Sequence, residues 1–250
     1  MKFPKNTNYS LILFLVALTF ILRFPRTPHS VGIDAFVMQG LANSIVTEGF
    51  AAWIIHPLSY IGLYPLSYPS GGIFLPAGLV IFSGQSSEVS ILALSFLMGL
   101  IGVLGVYILA KEFRDDHLFA FLVAFIFCLA PKFILNTTWE TPTRGGFMAF
   151  TPIFLWALLR AHRDPSRKNM AMTVLMLFIL STFHRLAILM LIVILAYIFT
   201  FIFHMMVRIA KLKTPTLLLR PRARQRMRMF GVVALFGIGT ALILGSGVLD

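Results

Sequence analysis

The chain has 250 residues, 58% of them hydrophobic and only 12% charged, with 25 phenylalanines and a formal net charge of +12. Soluble domains carry about 25% charged residues, so this composition excludes a soluble globular protein and indicates an integral membrane protein. The single cysteine, Cys128, excludes an internal disulfide and a cysteine-based metal site, and its apolar surroundings point to a small buried side chain.

Lys2 and Lys5 precede an apolar run from Leu11 to Phe24, and the sequence that follows lacks the small residues of a cleavage site, so this is a retained first span with a cytoplasmic N-terminus. A long external loop follows, residues 25–88, polar-punctuated and holding Asp34, Glu48, His56, Tyr60, Tyr64 and Tyr68. Loops of such length inside a compact protein usually serve function. Asp34, Val37, Met38, Leu41, Ile45 and Val46 recur at helical spacing, which predicts an amphipathic juxtamembrane helix starting near Asp34 and ending at Gly49. Gly71 to Ser83 is apolar but shorter than the ~20 residues a span needs, and Pro76 interrupts it, so it reads as a juxtamembrane or re-entrant helix. The tyrosines between these helices suit an aromatic belt.

Val89 to Ala110 is a full-length span, 111–116 a charged hinge, His117 to Phe133 a further span, Asn136 to Gly146 a polar loop, and Phe147 to Leu159 another span. Met170 to His204 is too long for one helix across the ~30 Å hydrocarbon core, and His184-Arg185 interrupts it, so it reads as two spans with that pair at the membrane face. Phe230 to Leu244 closes the series, after a basic stretch (208–228) suited to anionic lipid rather than nucleic acid. The fold class expected is thus all-α, with about seven transmembrane helices. If Gly71 to Ser83 does not cross, only Arg23, Arg26, Lys132, Arg144 and Arg185 lie outside, and the rest of the 21 lysines and arginines are cytoplasmic, in accord with the positive-inside bias.

On this topology the first loop, the 136–146 loop and the His184-Arg185 turn share the outer face. The order of one span, a long external loop with an early acid, and then pairs of spans resembles the GT-C superfamily of membrane glycosyltransferases, most closely the N-terminal transmembrane module of oligosaccharyltransferase catalytic subunits. Gly32-Ile33-Asp34-Ala35-Phe36 sits where that family has its first-loop catalytic aspartate. Ile108-Leu109-Ala110-Lys111-Glu112-Phe113 resembles its span-to-hinge sequence, and Leu129-Ala130-Pro131-Lys132-Phe133 its approach to the second external loop. The resemblance covers nearly the whole chain and implies a single transmembrane module over 1–250, a piece of a longer enzyme or one completed by a partner subunit.

The resemblance further implies transfer of a sugar or oligosaccharide from a polyprenyl-phosphate or -diphosphate carrier to an acceptor protein or glycan, at the outer face of a prokaryotic cell membrane. Asp34 is the expected catalytic residue, a general base for the acceptor; as a bare sequence feature it equally suits a helix N-cap. Arg144, His184 and Arg185 are the candidates for the donor phosphate, since a guanidinium fork matches phosphate bidentately. His56 and Glu140 are accessory candidates. The family's second loop carries paired acids that help hold a divalent metal, but here Thr143 and Gly145 fall at those positions, so no metal site is expected, and Mg²⁺ or Mn²⁺ would have to rely on Asp34 and Glu140. Asn136-Thr137-Thr138 matches an N-glycosylation sequon. A transporter or flippase-like carrier and a non-catalytic scaffold of the same module are the competing readings; the first is disfavoured by the lack of an internal repeat.

Overall fold

The computed structural model describes residues 5–30, 32–49, 71–138 and 142–211, whose regular structure is all helical, with no strand among them. In chain order the elements are α1 (Lys5–Arg23), α2 (Ile33–Glu48), α3 (Gly71–Ser83), α4 (Ser87–Phe113), α5 (His117–Cys128), α6 (Pro131–Leu135), α7 (Pro142–Arg163), α8 (Arg167–Phe183), a 3₁₀ turn (Arg185–Ile188) and α9 (Leu189–Lys211). They form two compact units, Met1–Trp156 with Thr182–His184, and Ala157–Ser181 with Arg185–Asp250. His56, Tyr60, Tyr64, Tyr68, Glu140, the basic run and Phe230 to Leu244 lie outside the described residues.

The first unit is built on α4, against which α1, α2, α3 and α5 all pack. By length and composition α4 is the one described helix able to cross a membrane; Tyr9–Arg23, α3 and α5 are shorter apolar helices. Between apolar helices in lipid there is little hydrophobic drive, so close packing at small residues must hold them together. The sequence supplies such a stripe: a Cβ at Gly99 would lie 2.2 Å from Arg23 Nε, one at Gly102 2.5 Å from Phe133 Cζ, and one at Gly105 2.8 Å from Ile153 Cγ1. Around it Leu15, Val103, Ala120, Ala124, Cys128 and Phe133 form a core with no exposed surface. Apolar side chains elsewhere point outward, among them Leu13, Phe14, Ile21, Ile126 and Phe82, as expected of surfaces meeting lipid.

The hinge between α4 and α5 is closed by polar contacts. Tyr107 Oη lies 2.7 Å from His117 Nδ1, and the Lys111 ammonium, which can only donate, lies 3.1 Å from His117 Nε2. Asp116 caps α5 by accepting from Leu118 N at 2.9 Å and Phe119 N at 3.4 Å. Those backbone donors, that of Phe119 foremost, hold its carboxyl below the usual range.

Several sequence-based boundaries are corrected. His117 to Phe133 is two helices rather than one: α5 ends at Cys128, Ala130 turns to the extended conformation that the residue before a proline favours, and Pro131 opens α6. The expected loop Asn136 to Gly146 is a loop only in part, since α7 begins at Pro142, a residue pre-set for a helical first position. That helix continues beyond Leu159 to Arg163. The predicted helix after Asp34 is present, and Gly49, at φ 75°, ends it in the left-handed conformation. The Met170 to His204 run does break at His184, where α8 gives way to the 3₁₀ turn.

Candidate functional site

Asp34 stands at the second position of α2, exposed to solvent. It is not the N-cap. That position is Gly32, at φ 103°, and no side chain caps the helix. Glycine alone adopts this backbone readily, which puts the acid one step inside the helix, where the macrodipole still favours a negative charge. Asp34 takes no part in the side-chain hydrogen bonds or ion pairs seen among the described residues, so its carboxylate is available. One face of α2, Met38, Ala42 and Ile45, packs on Ile73 and Ala77 of α3.

Arg144 is exposed in the first turn of α7. Its neighbours are locked. Thr143 is buried and packs against Gly72, where a Cβ would come within 2.2 Å of its methyl. A Cβ at Gly145 would lie 2.3 Å from the backbone oxygen of Asn136, and one at Gly146 2.1 Å from Phe183 Cδ1. At Gly71 a Cβ would lie 2.9 Å from Thr182 Oγ1. The first turns of α3 and α7 therefore meet each other and the end of α8. His184, half-buried just past that end, sets its ring 6.2 Å from that of Phe147, one turn along α7 from Arg144. The first turns of α3 and α7 thus lie against each other, with Arg144 exposed on the second and His184 against Phe147 one turn further along it.

Of the remaining candidates, Arg185 opens the 3₁₀ turn of the second unit, with only its backbone described, and His56 and Glu140 fall outside the described residues. The described residues fit a family-type divalent metal poorly. A side chain at position 145 would clash with Asn136, position 143 is buried in helix packing, and no cluster of three histidine, cysteine or acidic residues occurs among the described residues.

Sequence reasoning places Arg23 in the outer loop, yet its side chain is fully buried at the end of α1. Its Nε donates to Thr137 Oγ1 at 2.8 Å, Nη1 reaches Thr19 O at 3.4 Å and Cys128 Sγ at 3.9 Å, and the guanidinium stacks 4.7 Å from the centre of the Phe133 ring. Nη2 has no hydrogen-bond partner among the described residues. Thr137 in turn donates to Phe133 O at 2.6 Å. This arginine fastens the short α6 and its turn to α1, and Gly145 packs on that same turn. Its signal in the sequence was an arginine directly after an apolar span. The sequon reading fails here: Asn136 is 2% exposed, and its amide nitrogen donates to Lys132 O at 2.7 Å.

No family model matches the chain, and no curated protein matches it in sequence. Solved structures do match. The crystal structure of the apo oligosaccharyltransferase from Archaeoglobus fulgidus superposes with a TM-score of 0.61 at 18% identity, over 78% of this chain and 26% of that one. The oligosaccharyltransferase AglB of the same organism, in complex with an inhibitory peptide and a dolichol-phosphate, gives a TM-score of 0.62 at 17% identity, over 96% and 29%. The fold is that of part of an archaeal oligosaccharyltransferase. The chain spans less than a third of the length of those enzymes.

Proposed function

We propose that this chain is the transmembrane module of a GT-C glycosyltransferase, transferring a sugar or oligosaccharide from a polyprenyl-phosphate or -diphosphate carrier to a protein or glycan acceptor at the outer face of the membrane. The reading includes seven spans with the N-terminus in the cytoplasm, and a remainder of the enzyme supplied by further chain or a partner subunit. One observation carries it beyond the shared fold: the first turns of α3 and α7 meet at Gly72 and Thr143, with Arg144 exposed beside them and His184 against the same helix. Backbone N–H groups, aligned dipoles and a guanidinium are what a lipid-linked phosphate leaving group needs, and a preorganised positive site stabilises the charge that develops on it. The dolichol-phosphate bound to AglB is a ligand of that class.

In this mechanism Arg144 and His184 hold the phosphate. The acceptor attacks the anomeric carbon, Asp34 removes or orients its proton, and the carrier phosphate departs onto the positive groups. The test uses the full-length protein in liposomes containing a polyprenyl-linked donor and an acceptor peptide. Asp34→Asn should abolish transfer while leaving donor binding within about twofold, and Arg144→Lys should weaken donor use by about tenfold, because a point charge loses the bidentate fork. Normal turnover by Asp34→Asn would overturn the assignment of the base.

A further inference from the structure

We infer that Glu88 is a positioning residue for Asp34, acting through the strap of residues 24–30 that leads from α1 toward α2. This rests on the reading of Asp34 as the base. The α2 helix has little of its own to fix its first turn. Its N-cap is a glycine without a side-chain cap, Ile33, Asp34 and Phe36 are exposed, and of its first turn only the small Ala35 is buried. Beside that one apolar contact, a polar path holds this end among the described residues. Glu88, in the first turn of α4, accepts the Ser30 backbone N–H on Oε1 at 2.7 Å, and its Oε2 lies 3.4 Å from His29 Nδ1. Ser30, only 4% exposed, accepts on its hydroxyl from Gln39 Nε2 of α2 at 2.8 Å. The path from Glu88 to α2 is therefore two hydrogen bonds long, with Ser30 in the middle.

Both ends of the strap are fastened to the same rigid helix. Arg23 packs on Gly99 at one end and Ser30 hangs from Glu88 at the other. Of the two contacts that Glu88 makes, the Ser30 bond matters. The His29 contact lies at the surface, with a histidine 78% exposed, and even as an ion pair such a contact contributes little. A carboxylate accepting a backbone N–H at 2.7 Å is a charge-assisted bond, with a donor that cannot rotate away. Placing the clamp on α4 gives Asp34 a fixed reference, and a base that must meet an acceptor proton within hydrogen-bond reach depends on such registration.

The experiment compares Glu88→Ala and Glu88→Gln in the full-length protein, in the same liposomes, with two readouts. Hydrogen exchange over residues 29–36 reports on the clamp, with the amides of α4 as the measure of an intact fold. Steady-state transfer separates kcat from the donor KM. Glu88→Ala should expose the Ser30 amide to exchange and lower kcat by about tenfold or more, with KM within about twofold. In Glu88→Gln the amide oxygen still accepts the Ser30 N–H, so protection and most of kcat should return. Unchanged exchange at Ser30 in Glu88→Ala overturns the clamp. Unchanged kcat despite lost protection overturns the positioning role, as does failure of Glu88→Gln to recover kcat with α4 still protected. Wild-type turnover by Asp34→Asn would instead remove the base, and the positioning role with it, while exchange at Ser30 would still report on the clamp itself.

Discussion

Replacing Gly145 with alanine isolates what holds Arg144 in place. The added Cβ would lie 2.3 Å from Asn136 O, 3.2 Å from Thr137 Cγ2 and 3.3 Å from Asn136 C. A relaxed carbon–oxygen contact is about 3.3–3.6 Å, so α7 and the 136–137 turn must separate by roughly 1 Å. The obstacle is backbone and cannot rotate away, and the turn that carries it is tied to Arg23 through Thr137. Overpacking of this kind costs about 1–3 kcal/mol. Gly40→Ala is the control, because a Cβ there meets nothing within 4 Å on exposed α2, and alanine should gain about 0.5–1 kcal/mol in a helix interior. Thermal unfolding of the purified protein in detergent should rank Gly40→Ala above wild type and Gly145→Ala below it. Donor use should fall with Gly145→Ala alone, since the first turn of α7 carries Arg144. A Gly145→Ala protein as stable as wild type would show that the turn and α7 are not in the contact described.

Arg23→Met should unfold no earlier than wild type, because apolar packing of similar volume often matches or improves on a buried charge, whereas Arg23→Ala should lose about 2–5 kcal/mol to a cavity; a Met variant as unstable as Ala would show that the guanidinium's polar contacts hold the site. Transfer should survive EDTA, since positions 143 and 145 offer no ligands; loss of activity restored by Mg²⁺ or Mn²⁺ would refute this and point to Asp34 and Glu140. In sealed vesicles, cysteine replacing Arg114 should label only from inside and cysteine replacing Arg144 only from outside, and the reverse pattern would overturn the topology; Cys128, fully buried, leaves a low background.

Helix type and place were legible wherever one residue class dominated. The 3.6-residue recurrence from Asp34 to Val46, with Gly49 after it, marked α2 at both ends, and the apolar run around Pro76 matched α3. The misses fall where proline and tertiary packing compete. Pro131 splits the expected span where Ala130 before it is extended, whereas Pro76 and Pro152 sit inside α3 and α7, and Pro142 starts α7 inside what composition reads as a loop. Thr143 and the two glycines after Arg144 look like loop residues by propensity. They are helical because the glycines let α7 lie against Asn136 and Phe183, which is packing that no local pattern encodes.

The site was legible as chemistry and not as support. Asp34, Arg144 and His184 stood out because ionisable residues are rare in this chain. Arg23 was equally visible but was assigned to the outer face, since charge counting treats an arginine after a span as belonging to water. An arginine at the centre of a bilayer helix costs about 2.5–3.5 kcal/mol on insertion scales, and one buried in protein needs partners from distant sequence: here Thr137 and Phe133, more than 100 residues away. No single-sequence pattern joins them. Glu88 shows the same logic, since its value lies in an oxygen that accepts the Ser30 N–H 58 residues back along the chain. Asp34 and Arg144 both sit in helix first turns, and α4 holds the chain ahead of Asp34 at two points, through Gly99 against Arg23 and Glu88 accepting from Ser30.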